Sequence, residues 1–147
     1  MTAKADFTEE EWNVVREGPA AAGMLVLTAH SGGSFRESWA LAKTYTEARK
    51  QHGQSQLLDE LVSEKPDVER YHSAEEQEQH GLAGLRDAVD VLERKATPEE
   101  VEEYRTFVLH VAERVAKAHE EEDGVPVSAA EQAAIDEVAS SLGTSAP

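Results

Sequence analysis

The sequence contains no cysteine among its 147 residues. Without thiols, disulfide frameworks, thiolate metal sites and cysteine nucleophiles are excluded, and the redox compartment is left open. Aromatic residues are few, and cations are scarce: 14 Lys and Arg stand against 30 Asp and Glu, a formal net charge of −16. An approaching phosphate backbone or anionic lipid surface would meet a repulsive field, so neither nucleic acid nor a membrane is expected as a partner. Long apolar runs are missing as well. The most apolar stretch, PAAAGMLVLTA from Pro19 to Ala29, falls well short of the roughly 20 residues that span a bilayer and reads as a buried core helix. The opening MTAKADFTEEEW turns acidic at once, unlike the basic start and apolar core of a secretory signal, and a cytoplasmic location is expected.

What is present describes helices. Five segments carry a Ser or Thr followed three residues later by Glu: Thr8 with Glu11, Ser34 with Glu37, Ser73 with Glu76, Thr97 with Glu100 and Ser128 with Glu131. In such a capping box the hydroxyl accepts the N–H three residues on, and the carboxylate reaches back to the cap's own N–H. Pro98 strengthens the fourth, because proline in the first helical position loses no needed hydrogen bond. Apolar residues then recur near a 3.6-residue period: Phe35, Trp39, Ala42 and Tyr45; Leu82, Leu85, Val89 and Leu92; Val101, Tyr104, Val108, Val111, Val115 and Ala118; and Ile135, Val138 and Leu142. No segment shows the sustained alternation of a strand.

Turn residues divide the helices. Gly18-Pro19 predicts a break between a short helix over 9–17 and the apolar one after it, since proline disfavours a helical residue before it. Ser31-Gly32-Gly33 and Asp123 to Pro126 read as turns, Gly53 ends the Phe35 helix near Gln51, and Gln54 to Val62 reads as a short helix. The expected architecture is a single all-α domain over 1–147, a bundle of six or seven helices, with 143–147 as a fraying tail. A chain of this length buries about two-thirds of its unfolded surface and needs no covalent staple.

Two stretches echo each other: an apolar helix ending in Ala-His, a glycine turn, then a Ser-x-x-Glu cap. They are Leu25 to Ala42, with Ala29-His30, and Val111 to Val138, with Ala118-His119. A duplicated helical hairpin about a pseudo-twofold axis would place the Leu25 and Val111 helices at the centre. The stretch AHEEEDGVPVSAAEQAAIDEVASSLG, Ala118 to Gly143, resembles the tellurite-resistance TerB-like family through Asp123, Gly124, Ser128 and Glu131. AHSGGSFRESWALA in the first half resembles it through Glu37, with Ser31 where the family has aspartate. The resemblance implies an all-helical, acidic bacterial protein associated with stress response, with no settled enzymatic activity, for which divalent-metal binding is proposed.

The residues themselves offer several candidate sites. His119-Glu120-Glu121-Glu122-Asp123-Gly124 concentrates carboxylates in an acidic inter-helix loop, with His119, Glu121 and Asp123 in the first, third and fifth places of a calcium-loop spacing whose sixth is Gly124. The twelfth place is Ala130, so the spacing fails beyond the turn. Glu121 and Asp123 lead as ligands for a divalent cation (calcium, manganese or zinc), with His119, Glu131, His30 and Glu37 behind them. Glu37 and Glu131 are equally explained as capping carboxylates, and His30 and His119 as helix-end residues that a helix dipole favours. The helix after Gly33 is locally basic, with Arg36, Lys43, Arg49 and Lys50 against Glu37 and Glu47. That face offers a metal-independent alternative, a scaffold that docks a protein partner or a second copy of itself.

Catalytic patterns are missing. Di-iron bundles need two Glu-x-x-His pairs and only Glu69 with His72 precedes the Ser73 cap. No His-Glu-x-x-His helix, complete nucleophile elbow or phosphate loop occurs. No enzymatic activity is expected.

Overall fold

The computed structural model describes residues 4–29, 43–47, 50, 56–63, 74–123 and 129–143. A 3-10 turn, Lys4–Asp6 (η1), leads into α1 (Glu9–Ala29), and residues 43–47 form a helical segment, α2. There follow α3 (Gln56–Ser63), α4 (Ala74–Lys95), α5 (Pro98–Asp123) and α6 (Ala129–Ser141). The all-α reading is correct, and no strand occurs among the described residues. None of their helices is long and apolar enough to cross a membrane.

Two capping boxes form as the sequence specifies. The Thr8 N–H donates to Glu11 Oε1 at 2.9 Å while the Glu11 N–H donates to Thr8 Oγ1 at 3.1 Å. Thr97 and Glu100 repeat the exchange at 3.0 and 3.2 Å with Pro98 in the first helical position. Each box fixes where its helix begins and contributes roughly 0.5–2 kcal/mol through donors that would otherwise be orphaned. At α1 the residue before the cap, Phe7, packs its ring 5.7 Å from that of Trp12, a hydrophobic staple across the first turn. The Ser34, Ser73 and Ser128 caps lie outside the described residues.

The apolar stripes form one core. Leu85, Val89 and Leu92 of α4, Val101, Tyr104, Val108, Val111 and Val115 of α5, and Ile135, Val138 and Leu142 at the end of the chain are all buried, with Leu82 packed against them. Arg86, Asp87, Asp90 and Glu93 on the opposite face of α4 are exposed. Tyr45 of α2 is buried, its ring edge-on to Phe107 at 5.5 Å. Phe35, Trp39 and Ala42 lie outside the described residues.

α1 is the hub, packing on α4, α5 and α6. It runs antiparallel to α4, as Glu11 meets Lys95, a Cβ at Gly18 would lie 3.4 Å from Leu85, and Gly81 faces Leu25. α5 runs parallel to it: the turn before α5 lies beside Glu11, and Tyr104 lies beside Val15. The expected break at Gly18-Pro19 is overturned, for α1 continues through both residues. Proline at position 19 has no N–H to offer the carbonyl of Val15 four residues back. That carbonyl instead accepts the Tyr104 hydroxyl at 2.8 Å in a fully buried contact. Gly18 makes the approach possible, because a Cβ there would sit 2.0 Å from Tyr104 Oη. Burial, and secondarily the neighbouring Tyr45, push the Tyr104 phenol well above its ordinary range, so it stays a protonated donor.

Both ends of the described chain are tied to the α4–α5 turn. Lys95 Nζ lies 2.5 Å from Glu11 Oε1, donates to the Asp6 carbonyl at 3.2 Å and sits 5.9 Å from the Phe7 ring centre. Arg105 Nε donates to the Leu142 carbonyl at 2.6 Å, while its guanidinium pairs with Glu93 at 3.2 Å and with Glu102. α6 closes with Gly143 in the left-handed region at φ 78°, its N–H bonded to Ser140 O at 3.1 Å.

The Lys95 ammonium, followed by the Thr8 N–H, holds the Glu11 carboxyl at about 2, against 4.5 for an ordinary glutamate. A depressed carboxylate pKa gives stability that is fully present above pH 4.5 and lost as the pH falls through about 2. The gap in melting temperature between the native protein and Lys95→Met is therefore expected to be constant from pH 4.5 to about pH 8, where lysine is still charged, and to narrow toward pH 2. Thermal unfolding across that range checks it, and a gap independent of pH would be the contrary result.

Candidate functional site

The acidic run that reads as a loop is helical. α5 continues to Asp123, so His119 to Asp123 form its last turns, and His119 lies a turn inside the helix rather than at its end. For residues 118–123 the structure describes the backbone alone. That backbone changes which positions belong together. At about 100° per residue, positions 119 and 123 share a face and position 121 falls on the opposite side. The alternate spacing of a calcium loop, with His119, Glu121 and Asp123 converging, needs an extended chain and is not provided by a helix.

The last turn of α5 contains no basic residue. The free carbonyls of a helix C-terminus carry partial negative charge, and the carboxylates of Glu120, Glu121, Glu122 and Asp123 add to it. Electrostatically this end of the bundle is arranged to favour a cation. Its counterpart in the first half is placed by the parallel run of α1 and α5. Val15 to Ala29 and Tyr104 to Ala118 are intervals of equal length, each about 21 Å of helix. Tyr104 reaches Val15 and Gly18 of α1, and because the two helices run the same way their C-terminal ends lie toward the same end of the bundle. The Leu25 and Val111 helices of the internal echo are thus neighbours that run parallel, while residues 30–42 and 124–128 of the two halves lie outside the described residues.

The other candidates divide. Glu131 lies in the first turn of α6, is 1% exposed and takes part in a polar interaction, as a buried carboxylate must. His30, Glu37, Arg36 and Arg49 lie outside the described residues. Lys43 and Lys50 are exposed. Glu47, counted with them in the basic helix, instead pairs with Arg114 of α5 at 3.2 Å. Among the described residues no group of three or more His, Asp or Glu is placed to hold a metal, and the side chains of 119–123 fall outside that statement.

Three residues with definite roles carry no motif. Tyr104 reads as one more apolar position in its stripe, yet its hydroxyl completes α1. Pro19 is the signal that points to it, since a proline inside an apolar helix orphans the carbonyl four residues back. Lys95 and Arg105 give no such signal, because both bind backbone carbonyls from distant segments. No protein-family model matches the chain, and neither a curated protein nor a solved structure is found to be similar to it.

Proposed function

We propose that this protein works by binding rather than catalysis, and that it takes up a divalent cation at the acidic end of α5 in a stress-response setting, as its likeness to the TerB-like family implies. One observation carries the reading: α5 ends on four consecutive acidic residues with no basic residue in its last turn. Carboxylates at that end oppose the helix dipole, and a bound cation relieves both their mutual repulsion and the exposed carbonyls. Glu121 and Asp123 remain the leading ligands. Since they occupy opposite sides of the helix, each would act with a different set of partners, Asp123 with His119 on one face. Hard carboxylate oxygens suit calcium or manganese, and the imidazole admits zinc.

Titration calorimetry with each of the three ions at physiological ionic strength tests this. Heat of binding is expected for at least one ion in the native protein, and its loss in Asp123→Asn with the helical circular dichroism unchanged. No heat for any ion would overturn the reading.

The exposed Lys43 and Lys50, with Glu47 engaged by Arg114, favour a second reading as an interaction module that docks an acidic partner or a second copy through its basic helix. In that case Lys43→Glu with Lys50→Glu lowers the sedimentation coefficient of a self-associated species and leaves the melting temperature within a degree or two; an unchanged distribution rejects it.

A further inference from the structure

The cations of this acidic chain are not spread evenly. α2 lies against one flank of α5, because Tyr45 packs on Phe107 and Arg114 donates to both Glu47 carboxylate oxygens at 3.2 and 3.3 Å. Lys43 and Lys50, about a turn to either side of Glu47, are exposed beside that pair. Lys117, three residues beyond Arg114 on α5, is exposed as well. Among the described residues these four cations share the flank with Glu47, which Arg114 engages, and with Glu113 at its edge. The sequence divides them between distant segments, and the packing of α2 on α5 makes them one surface. Helix geometry then places that surface next to its electrostatic complement. α5 is helical through Asp123, so at about 100° per residue position 121 of the acidic run falls on the same flank as positions 114 and 117.

We propose that this flank docks a second copy of the chain, with the two α5 helices antiparallel about a twofold axis near position 118. In that arrangement the cations at 114 and 117 of each copy stand against position 121 of the other, and the same contact is made twice, as an isologous dimer requires. The α2 lysines extend the basic surface at its margin. Each copy carries a formal charge of −16, so approach is repulsive over most of the surface, and the basic flank is where two such molecules meet with least repulsion. The interface rests on the reading that the basic helix docks a second copy, and it adds to that reading the α5 cations and Glu121 as their complement. Opposite charges set the register here, with little apolar area to hold it, so the dimer is a weak and concentration-dependent one.

Sedimentation velocity of the full-length protein over a range of concentrations tests the proposal with Lys117→Glu, Glu121→Lys and an equal mixture of the two. A chelator is present throughout, so that no divalent cation at Glu121 bridges two copies. The native protein is expected to show a dimer that grows with concentration. Each single variant sets like charges opposite one another at both contacts and should weaken that dimer at least about tenfold. In the mixture both contacts again join opposite charges, so the dimer should return, a recovery that misfolding of either variant would not produce. A native protein that stays monomeric, single variants that dimerise as well as the native chain, or a mixture that stays monomeric would overturn the proposal. Loss of the dimer in Lys43→Glu with Lys50→Glu but not in Lys117→Glu would overturn this arrangement and leave the basic-helix reading standing.

Discussion

Replacing Gly18 with alanine is expected to destabilise the protein by about 3 kcal/mol and to lower its melting temperature by roughly 10 °C. The direction is opposite to what helix propensity alone dictates. Gly18 lies inside α1, where exchanging glycine for alanine ordinarily gains about 1 kcal/mol. Here the added methyl carbon would lie 2.0 Å from Tyr104 Oη and 3.2 Å from Cζ. The obstacle is the tip of a rigid, fully buried ring that is also hydrogen-bonded, so it has nowhere inexpensive to go. Either the ring moves and the Val15 carbonyl loses its donor, or α1 shifts against the helices packed around it. Gly84 of α4 supplies the control. A Cβ there meets nothing within 4 Å, so Gly84→Ala is expected to stabilise by about 1 kcal/mol. Denaturant titration of the two variants beside the native protein checks both signs. Equal effects at the two positions would show that the Tyr104 contact does not govern Gly18.

The second large effect is expected from Tyr104→Phe, which removes one oxygen and leaves the ring. The Val15 carbonyl is buried, and Pro19 cannot supply the missing donor. Loss of the hydroxyl therefore leaves an unsatisfied acceptor, a cost of about 1–3 kcal/mol rather than the smaller net value of an average hydrogen bond. The same substitution removes the atom that Gly18→Ala would strike. Gly18→Ala should consequently cost less in the Tyr104→Phe background than in the native one, though not nothing, because the ring carbon beneath remains close. Thermal unfolding of the four proteins measures the coupling, and simple additivity would contradict the shared contact.

The parts of the fold that were legible in the sequence are those set by local chemistry. The stripes from Leu82 to Leu92 and from Val101 to Val115 recur at helical spacing, and the structure buries the residues they name. Thr8 and Thr97 cap because a hydroxyl and a carboxylate three residues apart satisfy each other's amides wherever a helix begins. Gly18-Pro19 misled for a definite reason. Proline disfavours a helix by orphaning a carbonyl, and that penalty is lifted when a distant residue supplies the donor; Tyr104 lies far along the chain and no local window contains both. The acidic run misled similarly. Glu, unlike Asp, is a good helix former, so three successive Glu residues prolong α5 by a turn although their charges oppose its dipole. That extension decides which of His119, Glu121 and Asp123 share a face, so the grouping of the candidate ligands could not be read from their order alone. Lys95 and Arg105 were invisible because a lysine or arginine that binds a backbone carbonyl leaves no pattern in either segment.

The structure as a whole depends on α1 crossing Gly18 and Pro19 unbroken, since it is the helix on which α4, α5 and α6 all pack. We attribute that continuity to the Tyr104 hydroxyl standing in for the N–H that Pro19 lacks. A double-mutant cycle between positions 19 and 104 tests this most directly, with urea unfolding of the native protein, Tyr104→Phe, Pro19→Ala and the double variant. With proline in place, Tyr104→Phe should cost about 1–3 kcal/mol. With alanine supplying its own N–H to the Val15 carbonyl, the same change should cost less than about 0.5 kcal/mol. An equal penalty in both backgrounds would show that the hydroxyl does not replace the missing helix donor.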